Sequence, residues 1–288
     1  MKIAPYWARE TFSGTDKKGR THTFAAYGWS FGSMDEAKAD ALRRAEKLFT
    51  LLTGGEKPTT YEDYLDRPVR EEIIETLTHD GESIGLITRN RYGVLVLNTA
   101  RVAFVDVDFP AARPAGIKER VVWMFRPDKR QAKQTEIEDR VGQDIEDWAR
   151  RNSQSRFRLY RTCAGYRLLL THQFYEPTSE ATTRLLDELG SDQLYRRLTF
   201  KQECFRARLT PKPWRCNCRR PKMTYPWRNA EEERAYREWE RNYQRAAAGY
   251  TTCRMVREFG GPATEAVIQK IIAVHDQWTC GAEQRTLA

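Results

Sequence analysis

No apolar run in the chain approaches the roughly 18 to 20 uninterrupted hydrophobic positions of a membrane span, and Met1-Lys2-Ile3-Ala4-Pro5 lacks the apolar stretch of a secretory signal. The expectation is a cytoplasmic protein with no membrane partner. There is no Walker loop, no serine or cysteine triad pattern, no dinucleotide fingerprint, no internal repeat and no low-complexity tract. Cysteine is sparse. Six are scattered through 288 residues, with Cys163 alone and the rest after residue 200, which reads as reduced thiols rather than a disulfide scaffold. Cys204, Cys216 and Cys218 invite a zinc reading, with Cys253, Cys280 or His275 as a fourth ligand. The Cys-x-Cys pair lacks the usual spacing of two to four, so free thiols are preferred to zinc. Of the four histidines, His22 and His79 have no partner nearby in sequence, and His275-Asp276 reads as a structural pair at the end of an amphipathic helix.

What is present begins with a core: 40% of the residues are hydrophobic, enough for one large domain or two smaller ones. The charge is uneven. Between Arg196 and Lys222 ten Lys or Arg stand against the single acid Glu203, a net +9 that equals the net charge of the whole chain. Everything outside that segment is therefore balanced. A concentrated basic stripe is the footprint of a polyanion, because neutralised phosphates release condensed counterions, although a solvated surface is the plainer alternative. Trp214, Tyr225 and Trp227 lie in or just beyond the stripe, where they suit base stacking or the pinning of an irregular loop. Trp214, Arg219, Arg220 and Lys222 are the candidate nucleic-acid contacts.

Periodicity divides the chain into three parts. Residues 1–80 read as an accessory ββα module followed by a helix: strands over Trp7 to Phe12 and Thr21 to Ser30, a helix capped by Ser33 and ending at Gly54-Gly55, a polar linker over Glu56 to Pro68, and a second helix over Val69 to Leu77. Residues 81–215 form the core. Strands are expected at Ile84 to Thr88, Val94 to Leu97 and Val102 to Asp108. A Pro-containing loop over Phe109 to Lys133 leads to a helix over Gln134 to Asn152. Next come a hairpin turning at Cys163-Ala164-Gly165, a helix over Ser179 to Leu189 that resumes after Gly190, and a strand over Cys204 to Leu209. Between residues 101 and 209 the order strand, helix, strand, strand, helix, strand is the split βαβ pattern of ferredoxin-like and RNA-recognition-type sheets, so the fold class is α+β. Residues 216–288 read as a basic linker and a C-terminal helical segment, with helices over Asn229 to Ala248 and Ala263 to Val274.

The sharpest chemical signal is Ala103-Phe104-Val105-Asp106-Val107-Asp108-Phe109, in which the odd positions are apolar and the even side passes from Phe104 to two carboxylates. Period-two geometry sends Asp106 and Asp108 to one face, roughly 6 to 7 Å apart at the backbone, close enough to share one divalent ion. Hard oxygen ligands of this kind suit Mg²⁺ or Mn²⁺ held together with substrate phosphates, whereas a strand running out into solvent is the plainer reading.

These residues resemble a known family. Asp106-Val107-Asp108 is similar to the first motif of archaeo-eukaryotic primases and primase-polymerases, a strand ending in two aspartates around one apolar residue. Thr162-Cys163-Ala164-Gly165-Tyr166-Arg167-Leu168-Leu169 resembles their second motif, with Leu169 where such proteins carry a histidine and His172 three residues on. Phe205-Arg206-Ala207-Arg208-Leu209-Thr210-Pro211-Lys212 resembles the basic strand near the third motif, for which Asp192 and Glu203 are the candidate acids. The resemblance covers about residues 84 to 215 and implies nucleotidyl transfer. Asp106 and Asp108 would be the catalytic metal ligands, Arg161, Arg167, Arg206, Arg208, Lys212 or Arg215 would offset phosphate charge, and nucleic acid and nucleoside triphosphates would be the partners. A non-catalytic nucleic-acid-binding protein and a metal-dependent nuclease are the alternatives.

Overall fold

The computed structural model describes residues 1–55, 68–281 and 285–288, so the linker read over Glu56 to Pro68 lies, apart from Pro68, outside the described residues. The N-terminal module forms as the spacing predicts. Strands β1 (Tyr6–Thr15) and β2 (Thr21–Ser30) pair antiparallel along their full length, and α1 (Met34–Thr53) starts at Ser33, whose hydroxyl accepts from the Glu36 amide at 3.2 Å. Ala37, Ala41 and Ala45 bury the inner face of α1 against the hairpin. Gly28 makes that approach possible, because a Cβ there would stand 2.1 Å from the Ala41 nitrogen.

Two four-stranded antiparallel sheets build the body. One has the order β3 (Glu72–His79), β4 (Glu82–Arg89), β5 (Leu95–Thr99), β9 (Phe205–Arg208). The other has the order β11 (Cys253–Phe259), β7 (Phe157–Thr162), β8 (Gly165–Leu170), β6 (Phe104–Asp108). Helices α2 (Ile117–Phe125) and α3 (Pro127–Arg151) connect β6 to β7; α4 (Glu180–Glu188) and α5 (Gln193–Gln202) connect β8 to β9. After α6 (Ala230–Ala247) come a two-residue parallel pair, β10 (Tyr250–Thr251) with β12 (Thr286–Leu287), the edge strand β11, and α7 (Ala266–Thr279). One apolar core joins both sheets to α3, α4 and α7, with Phe104, Phe157, Leu168, Leu169, Phe205, Ile268 and Ile271 fully buried. No helix among the described residues is long and apolar enough to cross a membrane.

Three expectations from the sequence change. Residues 72–79 are strand β3, not the end of a helix over Val69 to Leu77. Asp80 and Gly81, at φ 50° and 81°, form the two-residue hairpin turn into β4, and the β-branched Ile73, Ile74, Thr76 and Thr78 suit a strand. The segment read as a loop from Phe109 to Lys133 contains α2 and the first two turns of α3, which Pro127 opens at a position that needs no amide hydrogen. Strand β11, missed within the C-terminal segment, pairs with β7 through a register shift between Met255 and Arg257.

The last strand of the expected core, β9, pairs with β5 and not with β6. Where β6 and β9 pass each other a side chain does the bridging: the Tyr195 hydroxyl donates to the Phe104 carbonyl at 2.8 Å and accepts from the Arg206 amide at 3.4 Å. The two sheets are thereby joined by a seam at the end of which Asp106 and Arg208 stand.

Candidate active site

Beside the seam opens a cleft of about 410 Å³. Its lining includes Asp106, Tyr195, Arg206 and Arg208 together with the aromatic and basic side chains Trp7, Tyr27, Trp29, Arg70 and Tyr92. Its size falls within the roughly 300 to 1,000 Å³ typical of small-molecule sites. The aromatic part of the lining draws on the hairpin of the N-terminal module, since Trp7 and Trp29 are cross-strand partners and Tyr27 lies two residues from Trp29 on the same face. Arg70 stacks on Tyr27 at 3.8 Å and Arg44 on Trp29 at 3.8 Å.

The two aspartates have different surroundings. Asp106 is held by Arg167, whose Nε donates to Oδ1 at 2.8 Å and whose Nη2 donates to Oδ2 at 3.3 Å. Ser191 Oγ and the Asp192 amide donate to the Asp106 backbone carbonyl at 2.9 and 3.4 Å, which fixes the strand end. An ionised carboxylate offers about four lone-pair sites, so two remain on Asp106 for an ion. Asp108 is exposed and borders a second pocket of about 170 Å³ with Asp144 and Glu188. Desolvation by the surrounding walls, then the charges of Asp106 and Asp192, push its carboxyl above the usual range. Among the described residues no group of three or more His, Cys, Asp or Glu side chains is gathered to hold a metal. An ion here would complete its shell with water and substrate oxygens, as Mg²⁺ commonly does.

The arginines expected at the site fall into two sets. Arg161 pairs with Glu138 at 2.8 Å and stacks over Phe109 at 4.2 Å. Arg167 is 1% exposed and spent on Asp106. Arg206 lines the cleft, but its Nη2 lies 2.7 Å from both oxygens of Glu71. Arg208, Lys212 and Arg215 form the second set, which lacks such partners among the described residues. Arg208 Nε and Arg215 Nη1 are inaccessible and have no hydrogen-bond partner among the described residues. Burial, then the charge of Arg167, lowers the pKa of Arg208; burial, then Arg208 and Arg215, lowers that of Lys212. The nearby acids offset this only in part.

Outside the cleft, Trp214 is 43% exposed and meets Tyr92 edge-on at 5.5 Å, with Arg220 over both rings at 4.5 and 5.1 Å. Arg219 and Lys222 are exposed as well. Tyr92 also lines the cleft, so the basic stripe and the cleft meet at this ring. Trp227 packs instead on Tyr236 at 4.3 Å and serves the loop. The cysteines are dispersed: Cys204 packs with Ile3 and Val69, Cys253 lies beside Arg167, and Cys216 donates to the Pro213 carbonyl. His172 contacts Arg156 and Tyr175. Sequence reading missed Trp7, Tyr27, Trp29, Arg70, Tyr92 and Tyr195. The alternating aromatics at 27 and 29 were a usable signal; nothing local marked Tyr195.

Compared with family models, curated proteins and solved structures, the chain shows no match to any of them.

Proposed function

We propose that the protein is a divalent-metal-dependent nucleotidyltransferase of the primase-polymerase type, taking a nucleoside triphosphate in the cleft and nucleic acid across the adjoining basic surface. The carrying observation is the cation cluster beside Asp106, in which Arg208 and Arg215 each enclose one guanidinium nitrogen that has no partner among the described residues. Arg208, Lys212 and Arg215 are half-buried cations whose mutual repulsion is offset only in part by nearby acids, and a triphosphate would supply the missing charge and acceptors. Mg²⁺ or Mn²⁺ bound by Asp106 and Asp108 would supply Lewis-acid stabilisation of the phosphate oxygens. Arg208, Lys212 and Arg215 bind the β- and γ-phosphates. A primer 3′-oxygen, losing its proton to water, forms the new bond to the α-phosphorus while the bond to the β-phosphate oxygen breaks and pyrophosphate leaves. Tyr27 and Trp29, each covered on one side by an arginine, offer their remaining faces to bases.

Strand β8 lies between β6 and β7 and is antiparallel to both, with α2 and α3 crossing over. This arrangement supports reading residues 101–162 as the first half of a split βαβ core. A second reading, a non-catalytic nucleic-acid-binding protein, is favoured by the Arg167 pairing that already neutralises Asp106. The test is incorporation of a labelled nucleoside triphosphate into a primed template with Mn²⁺, run with equilibrium binding of the same triphosphate. Incorporation lost in D108N and binding lost in R208Q are expected. A wild-type protein that binds nucleic acid but neither binds nor incorporates the triphosphate would establish the second reading.

A further inference from the structure

We infer that Arg167 is a positioning residue rather than a phosphate contact, and that a chain running from the half-exposed Asp276 through the buried His275 and Arg167 sets the orientation of the Asp106 carboxylate from the C-terminal helix. The inference rests on the reading of Asp106 as a metal ligand. Arg167 sits in the middle strand β8, opposite Asp106 in the ladder with β6, and its side chain is fully enclosed. Its donors reach four partners: Nε and Nη2 donate to Asp106, and Nη1 donates one hydrogen to the Arg208 carbonyl at 3.0 Å and shares the other between His275 Nε2 at 3.5 Å and Cys253 Sγ at 3.7 Å. One planar guanidinium thus fixes the carboxylate of β6 and the backbone of β9, the two strands that meet without a ladder.

A further, longer contact on the guanidinium comes from α7. His275 is 0% exposed, lying between the rings of Phe104 and Tyr160 at 5.4 and 4.6 Å. Its Nδ1 is 3.0 Å from Asp276 Oδ1. A carboxylate only accepts, so Nδ1 carries the hydrogen and Nε2 presents a lone pair toward Arg167. Burial, ahead of every other influence, favours the neutral ring. Asp276 is in turn held by Arg158 Nη1 at 2.8 Å. A carboxylate that orients an imidazole, which in turn orients a ligand's partner, has the form of an outer-shell network around a metal. The pair His275-Asp276 therefore has a role beyond packing a helix end. The segment after residue 250, remote in sequence from the aspartates, completes their site.

The test uses the full-length protein and Mn²⁺ alone, followed by electron paramagnetic resonance of the free ion, together with the Arg167 Nε–H signal in a ¹⁵N-correlated spectrum without metal. H275L removes the acceptor, H275Q restores an amide oxygen at similar reach, and D276A removes the group that fixes the ring's hydrogen at a position open to solvent. Circular dichroism controls for folding. H275L and D276A should each shift the Arg167 signal and weaken Mn²⁺ by roughly tenfold or more, and H275Q should recover most of both. Should H275L fail to fold, D276A decides. A folded H275L or D276A with signal and affinity unchanged, or an H275Q as impaired as H275L, would overturn the inference. If the wild type fails to bind Mn²⁺ while the Arg167 signal still moves in the variants, the metal reading of Asp106 falls and the positioning chain stands.

Discussion

The hydroxyl of Tyr195 donates to the carbonyl of Phe104 at 2.8 Å, occupying the place where a neighbouring strand would pair. Tyr195 reaches there because Asp192 caps α5, accepting from the Tyr195 amide at 2.9 Å and setting the direction of the first helical turn. Burial and the nearby Asp106 charge push the phenol far above its ordinary value, so it remains a donor throughout the physiological range. Y195F keeps the ring and deletes only the bridge. It leaves the Phe104 carbonyl without this donor and the Arg206 amide without this acceptor, a loss of about 1 to 3 kcal/mol. Urea denaturation should show a lower midpoint at unchanged slope; an unchanged midpoint would mean that water replaces the hydroxyl.

Glu71 and Arg206 make the second prediction. Both oxygens of Glu71 accept from Arg206 Nη2 at 2.7 Å, one of them also accepts from the Thr88 hydroxyl at 2.5 Å, and all three residues are largely enclosed. E71A strands a buried guanidinium, which costs about 3 to 5 kcal/mol. A melting temperature indistinguishable from wild type would show that Arg206 finds another anion. R206Q should lower stability more than triphosphate affinity, the reverse of R208Q.

Asp108 carries a pH signature. Its carboxyl in the folded protein titrates above the unfolded value of about 3.9. Between those two values the folded state holds the proton more tightly, so the stability contributed by this group falls as pH rises through the window and stays low above it. In chelator, D108N should therefore melt higher than wild type at pH 7, with the advantage gone below about pH 4. A D108N that melts lower at pH 7 would indicate that the ionised carboxylate has a stabilising partner.

The basic surface makes the fourth prediction. Arg219, Arg220 and Lys222 are exposed, and Arg220 stacks on Trp214. Replacing all three with Ala should flatten the dependence of log affinity for single-stranded nucleic acid on log salt, by roughly 0.7 for each phosphate that the variant no longer neutralises. W214A should weaken binding by about 1 to 3 kcal/mol while leaving that slope intact, because stacking releases no counterions. A triple variant with the wild-type slope would confine these cations to the protein's own surface.

Much of this molecule was written locally. Alternating apolar positions determined β6 and delivered two carboxylates to its end, Ser33 and Glu36 determined where α1 begins, and the turn at Cys163 to Gly165 determined the β7–β8 hairpin. Each depends on side chains a few residues apart, which is the range over which period and capping act. The strand at 72–79 was equally local, since Asp80-Gly81 is a hairpin signal that outweighs a short helical spacing of Ile73, Ile74 and Leu77. Which charges remain available was settled by packing alone. Arg161, Arg167, Arg206 and Arg208 look alike in sequence, yet three meet Glu138, Asp106 and Glu71 while Arg208 encloses a nitrogen with no partner among the described residues. Those three acids stand 23, 61 and 135 residues from their arginines along the chain, and pairing at such separations follows from how two sheets and the helices around them pack together, which no local pattern encodes.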